Sequence, residues 1–175
     1  MLNYEQSTRD HICNQLLLRD PYETKLVEVR DSGEEEGGQG LFAARDIEAK
    51  TVVAFYNGVR VPGAEVNEEL DWDDCSYRIF VNVDHDQDDD QDGLERMDIP
   101  EKFRSIKNYC ATVGHKCNHS FRPNCFFSQF NHPRFGLIPC IITSVRVSAG
   151  EELLTYYKYL LSDCPEWYSN LWDRQ

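Results

Sequence analysis

The chain has 175 residues, 41% of them hydrophobic and 28% charged, with a formal net charge of −13 and a pI near 4.7. This composition is typical of one soluble globular domain, and its acidity disfavours direct binding to DNA, which requires clustered Lys and Arg. A Lys- or Arg-rich protein tail is the partner that the charge favours. No apolar run is long enough to span a bilayer, no signal peptide is visible, and the seven cysteines form no CxxC pair. We therefore expect a monomer with free thiols in the nucleus, the cytoplasm or both.

The hydrophobic pattern predicts a mostly β domain with short helices, an α+β class. The predicted strands are KLVEVRDS (25–32), LFAARDI (41–47), TVVAFYNGVRV (51–61), SYRIFVNV (76–83) and two runs within residues 134–157 that SAGEE separates. The predicted short helices are HICNQLLL (11–18), a stretch after Ile99, and CPEWYSNLWDRQ (164–175).

Residues 84–93 read DHDQDDDQDG and contain six aspartates. Like charges repel, and Asp disfavours both helix and strand, so a solvated acidic loop is expected here. The alternative is a segment that attracts a cation or a basic tail. The ligand spacing of an EF-hand is absent from it.

The stretch CNHSFRPNC (117–125) has three interpretations. The first is a zinc site, suggested by five Cys and His residues that lie close together in the sequence: Cys110, His115, Cys117, His119 and Cys125. The close cysteine pairs of structural zinc sites are absent, so no metal is expected. A catalytic Cys117–His119 pair is the second, since residues two apart on a strand share a face. A backbone scaffold that holds another group is the third.

Two further features have both a structural and a functional interpretation. GGQG (37–40) allows close approach of the backbone to a ligand or simply forms a tight turn; there is no GxGxxG, so a Rossmann site is not expected. The tyrosines of FYNG and EELLTYYKY either pack in a sheet or form an aromatic slot for a cationic chain.

Four stretches in this order, GQGLFAARDI, FYNGVRV, NHSFRPNC and EELLTYYKY, resemble the motifs of the SET-domain protein lysine methyltransferases. Within that family, YCATVGHKCNHSFRPNC, HPRFG and PEWY are most similar to the catalytic half of histone H3 lysine methyltransferases that carry MORN repeats. The resemblance implies a pseudoknot of threaded C-terminal segments. It also implies an N-terminal flanking segment (1–36), a SET domain (37–160) with the acidic insertion, and a C-terminal helical lid (161–175).

The function that the resemblance implies is transfer of a methyl group from S-adenosylmethionine to a lysine amine of an H3-like histone tail or another basic protein. By motif position, Tyr157 and Tyr56 match catalytic residues. The substrate channel matches Tyr56, Phe127, Tyr157 and Tyr159. The cofactor-binding positions are Gly38, Gln39, Gly40, Asn118, His119 and Trp167.

Two departures from the family pattern affect the expected activity. Phe127 stands where the similar enzymes have a channel tyrosine, which predicts dimethylation in addition to monomethylation. Lys158 replaces the glycine that follows the catalytic tyrosine. Its side chain is expected either to repel a basic substrate or to change the backbone geometry there. The alternative is therefore a weakly active or inactive SET module that binds basic peptides.

Overall fold

The computed structural model describes residues 4–33, 38–61, 76–81, 95–162 and 164–174. The acidic segment 84–93 lies outside these residues. The predicted class is confirmed, since short strands dominate the described chain. The strands are β1 (Val27–Asp31), β2 (Gln39–Ala43), β3 (Val52–Phe55), β4 (Val59–Val61), β5 (Ile79–Phe80), β6 (Arg96–Asp98), β7 (Asn118–His119), β8 (Cys125–His132), β9 (Gly136–Thr143) and β10 (Leu154–Thr155). The helices are α1 (Glu101–Arg104) and α2 (Glu166–Asp173), with 3₁₀ turns at Glu23–Lys25 and Gly114–Lys116.

The central sheet has the order β3-β9-β8 and is antiparallel. β9 is an apolar strand whose residues are almost all buried, as its sequence predicts, and it pairs with β8 along the whole hairpin from Cys125↔Thr143 to His132↔Gly136. The β8 partner was not predicted. Its polar residues interrupt the apolar alternation, and the strand forms because β9 offers a complete row of hydrogen-bonding groups.

A short parallel pair, β7 with β10, connects two distant parts of the chain. Leu154 pairs with Asn118 and Thr155 with His119, and the Ser120 N–H donates to the Thr155 carbonyl at 2.8 Å. Parallel strands need a long connection, and here the whole β8–β9 hairpin supplies it. The threading of one segment through another stays a prediction.

The predicted helix over residues 11–18 is wrong. The segment is a series of bends and turns in which Ile12 and Cys13 are buried while Leu17 is 60% exposed. The Arg134 guanidinium donates to the carbonyls of Gln15 and Leu18, at 3.1 and 3.3 Å. These bonds satisfy two carbonyls of the irregular segment and hold its turns against a distant part of the chain.

The predicted strand over residues 51–61 is divided into β3 and β4. Asn57 lies between them, fully buried, and its side-chain amide donates to the Ile12 carbonyl at 3.0 Å. Its N–H donates to the Thr112 hydroxyl at 3.1 Å, so this residue leaves the ladder for side-chain partners. The break places Tyr56 at the end of β3 in the hydrophobic core.

Two hydrophobic clusters form the core. The first includes Tyr56, Met97, Tyr109 and Phe135, and the second includes Leu41, Val53, Cys117 and Leu153. Phe127 packs against both and so lies between them. Among the described residues, no helix is long and apolar enough to cross a membrane.

Candidate active site

Tyr157 follows β10, and both its main-chain N–H and its hydroxyl form hydrogen bonds with the segment around β7. Its N–H donates to His119 Nδ1 at 3.1 Å, and its hydroxyl donates to the Cys117 carbonyl at 2.8 Å. The β7–β10 pairing causes both contacts, because it sets residues 117–119 beside residues 154–157. The predicted catalytic tyrosine is thus held by main-chain and side-chain bonds of the predicted cofactor segment.

Tyr56 has a similar arrangement on the other side of the site. Its hydroxyl donates to the Tyr77 carbonyl, and its ring meets Phe127 in a T-shaped contact with centroids 6.4 Å apart. Burial raises the pKa of Tyr56 well above its usual range, with the neighbouring Tyr157 phenol as the next cause. Burial also raises the pKa of Tyr157 well above its usual range. Both hydroxyls therefore stay protonated, and each directs its proton to a carbonyl.

His119 lies within a cluster of aromatic rings. Its ring centroid is 4.5 Å from Phe121, 4.6 Å from Tyr168 and 6.0 Å from Trp167. Because Nδ1 accepts the Tyr157 N–H, the neutral ring carries its proton on Nε2, which is buried and has no hydrogen-bond partner among the described residues. Burial lowers the pKa of His119 to about 4, so the imidazole is uncharged at neutral pH.

The predicted cofactor residues of β2 lie beside Asn118. Gly38 has φ +54°, and the Asn118 side-chain amide donates to the Gln39 carbonyl at 3.3 Å and to the Glu152 carboxylate at 2.9 Å. At Gly40, an added Cβ atom would overlap the Glu152 carboxylate, so a larger residue there would require that side chain to move. Glu152 is a site residue that was not predicted from the sequence, although it belongs to the EELLTYYKY motif.

Helix α2 places Trp167 and Tyr168 on the same cluster. Trp167 is half-buried, with its ring centroid 6.3 Å from that of Tyr157 and 6.3 Å from that of Tyr159. Tyr168 is fully buried, and its ring lies 5.1 Å from that of Tyr159. Sequence reasoning missed Tyr168, which is next to the predicted Trp167 in PEWY. The structure therefore gathers the predicted site residues into one region, and their individual roles remain proposals.

Cys117 is buried and hydrogen-bonded in a way that favours a structural role. The Cys117 thiol donates to the Leu153 carbonyl at 3.1 Å, and burial raises its pKa well above the usual range. It is therefore held as a thiol, and His119 has a different hydrogen-bond partner, which disfavours a catalytic Cys117–His119 pair. Within the described ranges, no three His, Cys, Asp or Glu side chains come together as a metal site.

Buried histidines predict loss of stability in mild acid. His115 is buried beside Tyr109, and burial lowers its pKa to about 3. In the unfolded state this histidine binds a proton with a pKa of ~6.5, whereas in the folded state it does so only near pH 3. Its contribution to the free energy of unfolding is therefore constant above pH ~6.5, and stability falls as the pH drops from there towards 3. In urea unfolding between pH 4 and 6, His115→Phe should flatten this dependence by up to ~1.4 kcal/mol per pH unit. Equal slopes for His115→Phe and wild type would contradict the assignment.

Lys158 has a backbone conformation that favours glycine, with φ +58°. A side chain in this left-handed region clashes with its own backbone, whereas glycine does not. Lys158→Gly is therefore expected to raise the free energy of unfolding by about 0.5–1 kcal/mol, measured by urea denaturation. The control is Lys107→Gly at an exposed position with negative φ, which should destabilise or have no effect. A destabilised Lys158→Gly variant would show that the lysine side chain contributes more than its backbone strain.

Together, a β-rich domain, a parallel pair that sets Asn118-His119 beside a Glu-Glu-Leu…Tyr segment, and a tyrosine held on a main-chain carbonyl define a SET-type site. The SET domain family model matches residues 38–158. This chain belongs to the SET domain family.

A curated relative is 41% identical over 172 residues: histone-lysine N-methyltransferase SETD7 from Halocynthia roretzi. The alignment covers 94% of this chain and 42% of that protein, so the chain spans less than half the length of its relative. Whether MORN repeats accompany this domain stays a prediction.

Two solved structures share the fold. One is ctPRC2 in an autoinhibited conformation bound to S-adenosylmethionine, with a TM-score of 0.52 and 25% identity over 86% of this chain and 17% of that one. The other is KRYPTONITE in complex with mCHH DNA, an H3(1-15) peptide and SAH, with a TM-score of 0.52 and 19% identity over 80% of this chain and 25% of that one.

Proposed function

We propose that this chain is a protein-lysine N-methyltransferase that transfers a methyl group from S-adenosylmethionine to a lysine of an H3-like histone tail or another Lys/Arg-rich protein. Family membership and the 41% identity to a histone-lysine N-methyltransferase support this assignment. The net charge of −13 suits a basic substrate, because an acidic field attracts it. A histone substrate implies a nuclear location.

The observation that carries the proposal is the state of the two tyrosine hydroxyls. Tyr157 donates its proton to the Cys117 carbonyl and Tyr56 donates to the Tyr77 carbonyl. Each oxygen is then left with lone pairs only, so both accept hydrogen bonds from an amine N–H. Two such acceptors hold a lysine amine by its hydrogens and leave its own lone pair free to attack.

A neutral amine is required, although free lysine has a pKa of ~10.4. Desolvation disfavours the ammonium form, and the site offers a desolvating environment of rings that includes Tyr56, Phe127 and Tyr157. Alignment of the attacking nitrogen with the methyl group is worth about 7–11 kcal/mol relative to free encounter in solution. The chain's contribution is thus desolvation and orientation.

The described residues fit S-adenosylmethionine, which supplies an electrophilic methyl group on a sulfonium centre. Asn118 Oδ1 has no donor among the described residues, and Gly38 has an open side toward which a ligand can approach. The buried His119 Nε2–H lacks a partner, and the half-buried Trp167 ring provides a stacking surface beside it. These groups would bind the methionine part and the adenine respectively.

The test is transfer of tritiated methyl from S-adenosylmethionine to an array of histone-tail and other basic peptides. Labelled lysine in at least one peptide is expected, with no loss on Cys117→Ser, because that thiol is buried and structural. Binding of S-adenosylmethionine and of peptides without transfer would overturn the enzymatic assignment. It would favour the alternative, a SET module that binds basic peptides, in which the exposed Lys158, in place of the family's glycine beside Tyr157, disfavours turnover.

A further inference from the structure

Glu152 is held rigidly between the two segments that the proposed function assigns to the cofactor. Its main chain forms a bridge with Phe42 of β2, and the next residue, Leu153, donates its N–H to the Leu41 carbonyl at 2.8 Å. The Glu152 carbonyl accepts the Asn124 side-chain amide, also at 2.8 Å. These bonds fix the main-chain position from which the Glu152 side chain projects, independently of any ligand.

The Glu152 carboxylate contacts both segments. Oε1 lies 2.9 Å from Asn118 Nδ2, and it occupies the space where a Cβ of residue 40 would stand. A larger residue at position 40 would therefore have to displace this carboxylate, irrespective of how closely a ligand approaches. One carboxylate thus joins the β2 segment to the β7 segment.

A side-chain amide has two orientations, and its neighbours decide between them. An ionised carboxylate only accepts hydrogen bonds, and the Gln39 carbonyl beside it also only accepts. Both contacts therefore require the NH₂ group of Asn118 on this side. The Asn118 oxygen is therefore turned away from both of these acceptors.

We propose that Glu152 is a positioning residue for cofactor binding: it fixes the Asn118 amide so that Oδ1 faces the methionine part of S-adenosylmethionine. This inference rests on the proposed function. A bond to a carboxylate is stronger than one between neutral groups, so the orientation is maintained before the cofactor arrives.

Isothermal titration of S-adenosylmethionine tests the proposal without relying on turnover. Glu152→Ala is expected to weaken the cofactor Kd about tenfold, whereas Glu152→Gln should retain most of the affinity, because its oxygen still accepts the Asn118 bond. Glu151→Gln is the matched control, since its exposed carboxylate accepts only the Ser148 N–H in a local turn. It should bind like wild type.

A double-mutant cycle separates positioning from general stability. If Glu152 acts through Asn118, then Glu152→Ala should have no further effect on the cofactor Kd in an Asn118→Ala background. Additive losses, an unchanged Kd in Glu152→Ala, or a Glu152→Gln variant as weak as Glu152→Ala would each overturn the inference. If Glu152→Ala does not fold, Glu152→Leu, which keeps most of the volume but offers no acceptor, takes its place in the titration and in the cycle, and an unchanged Kd in that variant would overturn the inference.

The proposed function and the role of Glu152 are tested by different outcomes. Absence of cofactor binding in the wild-type chain overturns the proposed function, and the inference falls with it. Binding in wild type that is indifferent to Glu152 overturns the inference alone. Thermal unfolding adds a ligand-free readout: Gly40→Ala should destabilise the wild-type chain but cost much less with Glu152→Ala, which vacates the space.

Discussion

Replacement of Tyr157 by phenylalanine is expected to lower kcat about 100- to 1,000-fold, the usual effect of removing one preorganised hydrogen-bonding group from an active site. The variant loses the bond to the Cys117 carbonyl and the oxygen that accepts from the amine. It keeps its N–H bond to His119 Nδ1, so the cofactor segment should stay in place. Tritiated methyl transfer measures the rate, and titration of S-adenosylmethionine should give a Kd within about twofold of wild type.

Tyr22 provides a matched control for this substitution. Its hydroxyl donates to the Val52 carbonyl at 2.9 Å, so Tyr22→Phe removes the same type of bond at a residue outside the proposed site. Both variants should lose about 1 kcal/mol of stability, but only Tyr157→Phe should lose activity. Full activity in Tyr157→Phe, or equal losses in the two variants, would rule out the proposed catalytic role.

Phe127 is expected to decide how many methyl groups the lysine accepts. Its ring packs at 6.4 Å against Tyr56 and carries no hydroxyl, which leaves room for a methylated amine. The wild-type chain should therefore form dimethyl-lysine in a long reaction with excess cofactor. Phe127→Tyr should lower the dimethyl fraction at least about tenfold, because its hydroxyl occupies that space and can hold the amine by a hydrogen bond. Mass spectrometry of the product peptide measures the ratio.

The neighbouring Phe126 is the control, because successive residues of β8 point to opposite faces of the sheet. Phe126 is 38% exposed, so Phe126→Tyr should leave the product ratio unchanged. Only monomethyl-lysine from the wild-type chain, even after prolonged reaction, would contradict this role for Phe127.

The strands that sequence reasoning found are those with a regular apolar pattern, such as β1 and β9. The long strand β8 was missed because Ser128, Gln129 and Asn131 interrupt its pattern, and its pairing with β9 compensates. The helix over residues 11–18 was predicted wrongly, because its apolar run suggested a helix where the chain forms bends and turns. The distant Arg134 holds these turns through two of their carbonyls. In both cases a partner far away in sequence decides the local structure.

The sequence by itself determined the family motifs, their order and the identity of the candidate site residues, because these depend on residue type at matching positions. Only the tertiary structure decided which hydrogen-bonding atoms of each residue are used within the chain and which remain available to a ligand. Tyr157 directs its proton to Cys117, and Asn118 turns its NH₂ group to Glu152, across separations of 40 and 34 residues. A hydrogen bond requires contact within about 3 Å, and the parallel β7–β10 pair brings these groups together.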